Sequence, residues 1–119
     1  MVVDELDALR DRFDGCKTIA FADLSTQMIL VTDSGSNLPR ETLDNLCAQA
    51  AQMLGTNGRL FLGNKESSAA ALANNEGLRV FVRANQEPND VLCCICEPTV
   101  DAGAFLADAR ASIDRISGG

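Results

Sequence analysis

Apolar residues recur every three or four positions at the start of the chain. Val3, Leu6, Leu9 and Phe13 fall on one side of a helix, and charged residues fill the other side. Gly15 follows, and glycine commonly ends helices. The pattern therefore predicts a short amphipathic helix that ends before Gly15.

Two strand-like runs and a second helix come next. The runs are Lys17 to Leu24 and Met28 to Asp33, and the polar triplet between them predicts a hairpin. Pro39 then opens a helix, because proline in the first turn loses no hydrogen bond, and Gly55 ends it. One side of this helix carries an apolar stripe: Leu43, Leu46, Cys47, Ala50, Met53 and Leu54.

The next segment predicts two strands with an irregular piece between them. Arg59 to Gly63 has the composition of a strand, whereas residues 66–76 are alanine-rich and predict a short helix or a loop with a helical turn. Leu78 to Ala84 alternates apolar and polar residues, as a half-buried strand does, and Glu87 to Asp90 predicts a turn.

The run Val91 to Cys96 is apolar on both faces, which is typical of a central strand covered on both sides. Thr99 or Asp101 then caps a final helix. Its inward residues are Phe105, Leu106, Ala109, Ile113 and Ile116. The element order α-β-β-α-β-(α)-β-β-α predicts an α/β (α+β) domain with three α-β-α layers around a five-stranded, mainly antiparallel sheet.

Composition narrows the classes of function. The 119 residues suit a single domain spanning residues 1–119, and the net charge of −7 opposes nucleic acid and anionic membranes. No run is apolar and long enough to span a membrane, and the acidic start resembles no targeting signal. We therefore expect a cytoplasmic protein with reduced cysteines.

The cysteine-rich run "VLCCICEP" raises the question of metal or redox chemistry. On a strand, Cys94 and Cys96 point to one face and Cys93 to the other, so the three thiols cannot converge on one ion. The chain has no histidine and no CxxC pair. We therefore interpret these cysteines as core residues and expect no metal and no cofactor. A thiol- or metal-dependent protein that uses Cys94 and Cys96 remains an alternative.

The stretch "VTDSGSNLP" supports a second alternative, because it resembles the active-site loop of the pepsin-like aspartic proteases. Such enzymes use two carboxylates that share a proton. The chain has one copy of the motif, Asp33-Ser34-Gly35, so catalysis by Asp33 would require a homodimer. The strong helix that starts at Pro39 departs from that all-β family.

The order of elements resembles the roadblock family of dynein-light-chain-like domains, which is related to the longin and profilin-like folds. The resemblance rests on the hairpin "TIAFADLSTQMILVTDSG", the helix "PRETLDNLCAQAAQMLG", three further strands and a closing helix, and it covers nearly the whole chain. Residues 66–76 depart from it, because the family has a tight hairpin between its third and fourth strands.

The resemblance implies a sheet with the last strand at its centre beside the first, the first and third helices on one face, and the second helix on the other. It also implies a non-enzymatic module that forms dimers and regulates or scaffolds a small GTPase or another NTPase complex. Dimers would pair through the second helix and third strand, with these expected contacts: Leu46, Ala50, Met53, Arg59, Leu60, Phe61 and Leu62.

Overall fold

The computed structural model describes residues 2–54, 69–74, 77–87 and 89–118. Within these ranges the elements are α1 (Val2–Arg12), β1 (Cys16–Asp23), β2 (Met28–Thr32), α2 (Arg40–Leu54), β3 (Ala69–Asn74), β4 (Gly77–Arg83), β5 (Asp90–Cys96) and α3 (Ala102–Gly118). The described strands form one antiparallel sheet in the order β2-β1-β5-β4-β3. The predicted α+β fold is confirmed, with β5 at the centre of the sheet beside β1.

The helices cover the two faces of the sheet as the resemblance implied. α1 and α3 pack on one face around Leu6, Leu9, Phe105 and further apolar residues of the strands. The Phe105 ring meets Phe13 edge to face, with ring centroids 5.1 Å apart. α2 packs on the other face, where Leu46 belongs to the second buried cluster. The sheet therefore separates two apolar cores.

Local sequence explains where several elements begin. Asp101 is the cap of α3, because its side-chain Oδ1 accepts the Ala104 N–H at 3.1 Å, which settles the choice between Thr99 and Asp101. Gly77 opens β4 with a φ of 148°, and a Cβ there would lie 2.6 Å from the Cys96 carbonyl oxygen. A glycine is therefore required where β4 meets β5.

The third strand differs from the prediction. Residues 66–76 were expected to form a short helix or loop, but Ala69–Asn74 is the edge strand β3, paired with β4 along its whole length. Alanine favours helices in isolation, and the pairing with β4 outweighs that preference. The predicted strand Arg59 to Gly63 lies outside the described residues. Among the helices that the structure describes, none is both long and apolar enough to cross a membrane.

Candidate interaction surfaces

The carboxylate of Asp33 lies buried at the end of β2, where it joins three elements. Its Oδ1 accepts the Ile19 N–H at 3.0 Å, and its own N–H donates to the Ile19 carbonyl at 2.9 Å. Its Oδ2 lies 3.4 Å from the Arg10 Nε of α1, and none of the Asp33 side chain is exposed. The motif predicted a catalytic carboxylate as one alternative, but this environment gives Asp33 a structural role.

Ser34 and Gly35 complete the same attachment to α1. The Ser34 N–H donates to the Asp7 Oδ1 at 2.8 Å, and this hydrogen bond lowers the pKa of Asp7. A Cβ on Gly35 would lie 2.6 Å from the Arg10 Nη1, so a larger residue would displace the guanidinium. The Asp-Ser-Gly loop therefore fixes α1 against the end of β2, and the carboxylates of Asp33 and Asp7 are both engaged within the fold.

The cysteines divide between the two cores as the alternation of the last strand predicted. Cys93 faces α2, near Cys47, whereas Cys94 and Cys96 face α1 and α3 with Cys16. All five are free and buried. Burial raises the pKa of both Cys93 and Cys94, which favours the neutral thiols of core residues. Within the described ranges, no cluster of three or more histidine, cysteine or acidic residues could hold a metal ion.

Two arginines flank Phe81 on the face of β4 that α2 covers. Arg83 is 6% exposed and donates from Nη2 to the Leu54 carbonyl oxygen at 3.0 Å, at the C-terminal end of α2 where the helix dipole is negative. Arg79 donates to the Gln49 side chain, and Phe81 is fully buried. The sequence pattern predicted only a half-buried strand here, whereas in the structure this face of β4 holds α2.

The outer side of α2 is a small, polar surface. Asn45, Ala48 and Gln52 are exposed on it. The expected contacts Leu46 and Ala50 have no exposed surface and pack inward against the sheet. Met53 is half-buried against the same core, and the expected contacts 59–62 lie outside the described residues.

β3 forms one edge of the described sheet. The hydrogen bonds between β4 and β5 show which backbone N–H groups of β3 point away from the sheet. The Ala84 N–H donates to the Asp90 carbonyl at 2.9 Å, so the even-numbered N–H groups of β4 face β5 and the odd-numbered ones face β3. Phe81 is therefore bonded to its partner Ala70, and the N–H of Ala71 points away from β4. Among the described strands, β3 pairs only with β4.

The opposite edge, β2, carries two exposed apolar side chains. Met28 is 46% exposed and Leu30 is 51% exposed, and they are the large apolar residues exposed in the described part of the chain. β1 pairs Phe21 with Val31 and Ala22 with Ile29, which leaves Leu30 as a bulge. The sequence pattern could not reveal this bulge, because it depends on the register of β1 with β2.

The helices and the antiparallel sheet of the described residues define an α+β domain of the longin-like kind. The roadblock/LC7 domain of Streptomyces avermitilis superimposes with a TM-score of 0.77 at 11% identity, covering 96% of this chain and 92% of that chain. Myxococcus xanthus MglB superimposes with a TM-score of 0.76 at 14% identity, covering 98% of this chain and 92% of that chain. A structure of MglB in a tetrameric arrangement superimposes with a TM-score of 0.74 at 14% identity, covering 98% of this chain and 88% of that chain.

These structures share the fold of this chain while differing from it at most positions. No protein-family model matches the sequence, and no curated protein matches it significantly. The likeness to the solved structures nevertheless extends over nearly the whole chain. The chain therefore has a roadblock-type fold, in agreement with the resemblance seen in the sequence.

Proposed function

We propose that this chain is a cytoplasmic, non-enzymatic regulatory module that forms a homodimer and binds a small GTPase or another NTPase. The roadblock-type fold is the observation that carries the proposal. The residues that suggested catalysis support it, because Asp33 is enclosed by Ile19 and Arg10, and Cys94 and Cys96 are buried in the core. The surfaces that stay exposed, on the outer side of α2 and at the two edges of the described sheet, suit contacts with other proteins.

The dimer forms through β3 and the outer side of α2. Two copies of β3 join antiparallel about a twofold axis, so each outward N–H of one copy meets a carbonyl of the other. The small side chains of Ala71 and Ala73 permit the close approach, and Ala48 and Gln52 of α2 meet their counterparts. Leu46 and Ala50 support α2 from the core side and make no direct contact across the interface.

Replacement of Ala71 by proline is expected to convert the dimer to a monomer while the protein stays folded. Proline removes an N–H that points to the outer edge, and proline is tolerated at such positions of edge strands. The mass of the particle in solution, measured by sedimentation equilibrium, checks this expectation. A mutant of unchanged mass would rule out dimerisation through β3.

Ala70→Pro is the matched control for that experiment. Its N–H faces β4 and bonds to Phe81, so proline there removes a hydrogen bond of the ladder. We expect this variant to lose stability by about 1–3 kcal/mol, because the Phe81 carbonyl loses its donor, whereas the Ala71→Pro variant should not. Equal stability losses in the two variants would contradict the assignment of the strand faces.

The NTPase binds at the opposite edge of the sheet, where Met28 and Leu30 are exposed. Exposed apolar patches can mark protein contacts, and this pair lies two residues apart on β2, at the edge of the described sheet opposite β3. An apolar contact bordered by the polar turn residues Ser25 and Thr26 gives the arrangement of an interface, with an apolar centre and a polar rim.

Capture from native lysate tests the NTPase proposal. The tagged protein is incubated with lysate that contains either GDP or a non-hydrolysable GTP analogue, and bound proteins are identified by mass spectrometry. We expect a small GTPase or related NTPase to be enriched in one nucleotide state, and Leu30→Ser to reduce its recovery about tenfold, in line with a loss of roughly 1.4 kcal/mol. Ala111→Ser, at an exposed position of α3, is the control and should retain it. Enrichment of no NTPase in either state would refute this part of the proposal.

A further inference from the structure

Cys16 and Cys96 lie opposite each other on the neighbouring antiparallel strands β1 and β5. The Glu97 N–H donates to the Gly15 carbonyl at 2.7 Å, whereas the Cys16 N–H donates to the Phe13 carbonyl at 3.0 Å. In an antiparallel ladder, a bond between the positions that flank a pair marks that pair as non-hydrogen-bonded. The two cysteines therefore occupy the closer of the two kinds of cross-strand pair.

This geometry suits a disulfide. Non-hydrogen-bonded pairs have their Cα atoms about 4.5 Å apart, and disulfides span Cα separations of about 4.4–6.8 Å. Both side chains face the same core, between the sheet and α1 and α3. Cys94 lies two positions from Cys96 on the same strand, about 7 Å away, and Cys93 faces the other core. The fold thus selects Cys16 as the partner of Cys96.

The same two cysteines are the most accessible of the five. Cys16 is 6% exposed and Cys96 is 1% exposed, whereas the other three have no exposed surface. A hydrogen bond to Cys96 raises the pKa of Cys16, together with burial, and the same hydrogen bond lowers the pKa of Cys96. This hydrogen bond between the two thiols favours a thiolate in the pair, and a thiolate is the form that reacts with oxidants.

We propose that Cys16 and Cys96 form a modification site, which a small peroxide converts into a cross-strand disulfide. The Cys96 thiolate takes one oxygen from hydrogen peroxide, whose O–O bond breaks, and becomes a sulfenic acid while hydroxide leaves. The Cys16 sulfur then attacks the Cys96 sulfur, forming the S–S bond and releasing the transferred oxygen as water, while the hydroxide from the first step takes up a proton to become the second water. Overall, two thiols lose two electrons and two protons, and one peroxide becomes two waters.

The disulfide would join the start of β1, which α1 precedes, to the end of β5, which α3 follows. Cys16 opens β1 after the short turn that follows α1, and Cys96 ends β5 before the connection to α3. The linked ends are 80 positions apart in sequence, the difference between 96 and 16, and a cross-link over a long loop restricts the unfolded chain strongly. We expect the oxidised protein to unfold at a higher urea concentration than the reduced protein, and dithiothreitol to reverse the shift.

Peptide mapping of the whole chain tests the proposal. The folded protein is treated with hydrogen peroxide, its remaining thiols are alkylated in denaturant, and it is digested with trypsin without reductant. Cys16 falls in the peptide 13–17 and Cys96 in the peptide 84–110. We expect these two peptides to be linked, and fragmentation of the linked species to place the bond at Cys96 within 84–110.

Variants separate this pairing from the other possibilities. Cys94→Ala should retain the link and Cys96→Ala should abolish it, and the fragmentation of the wild-type product decides the matter if a variant fails to fold. A link between the peptides 41–59 and 84–110, which would join Cys47 to Cys93, would overturn the proposal. Thiols that stay unmodified, or that proceed only to sulfinic or sulfonic acids, would overturn it as well.

Discussion

Replacement of Phe81 by alanine is expected to lower the free energy of unfolding by about 3–5 kcal/mol. Phe81 is fully buried on the α2 side of β4, where it lies opposite Cys93 on β5 and Ala70 on β3. Neither neighbour is large enough to fill the space that the ring leaves, so a cavity remains beneath α2. Equilibrium unfolding in urea measures the loss.

Phe21→Ala is the matched control for this substitution. Phe21 lies on β1 and is only half-buried against the other core, so its removal creates less cavity and costs about 1–2 kcal/mol. Far-UV circular dichroism of both variants, at a temperature below the transition, should show the native helix content. Equal losses at Phe81 and Phe21 would contradict the close packing of α2 on the sheet.

Asp33→Ala is expected to lower the free energy of unfolding by about 2–3 kcal/mol. The substitution leaves the Ile19 N–H without its side-chain acceptor in a buried position. It also removes the partner of Arg10, whose side chain is 36% exposed, so water compensates part of the charge. Thermal unfolding monitored by circular dichroism, converted to free energies, measures the effect.

Two further variants separate the contributions at Asp33. Asp33→Asn keeps an acceptor for Ile19 but replaces the oxygen that faces Arg10 with an uncharged amide group, so we expect a loss of about 1 kcal/mol. Asp44→Ala removes the exposed ion pair with Arg40 on α2 and should change stability by less than about 0.5 kcal/mol. If Asp33→Ala lowered the free energy of unfolding as little as Asp44→Ala, the structural role assigned to the Asp-Ser-Gly loop would be refuted.

The sequence predicted most elements because their patterns are strong and local. Alternation placed Cys93 and Cys94 on opposite faces of the central strand, and the structure confirms this assignment. The third strand was mispredicted because Ala69 to Ala71 favour a helix in isolation, while pairing with β4 is a long-range effect. The Asn and Gly residues between Leu72 and Leu78 were the available signal of a hairpin.

The candidate surfaces were harder to predict, because an apolar stripe does not say what covers it. Leu46 and Ala50 were expected to meet a partner, yet they face the sheet of their own chain. Arg79 and Arg83 have the charge of surface residues, but they bind α2. Only the position of α2 over β4 shows that these residues contact their own chain and not a partner.

The two edges of the described sheet differ in regularity, and this difference limits how far a sheet can extend between molecules. β3 offers an even edge of short side chains, whereas the Leu30 bulge disturbs the spacing of β2. Twofold joining through the even edges leaves the bulged edges outermost on both sides. The joined sheet would then contain two copies of the chain and would not extend into an open-ended filament.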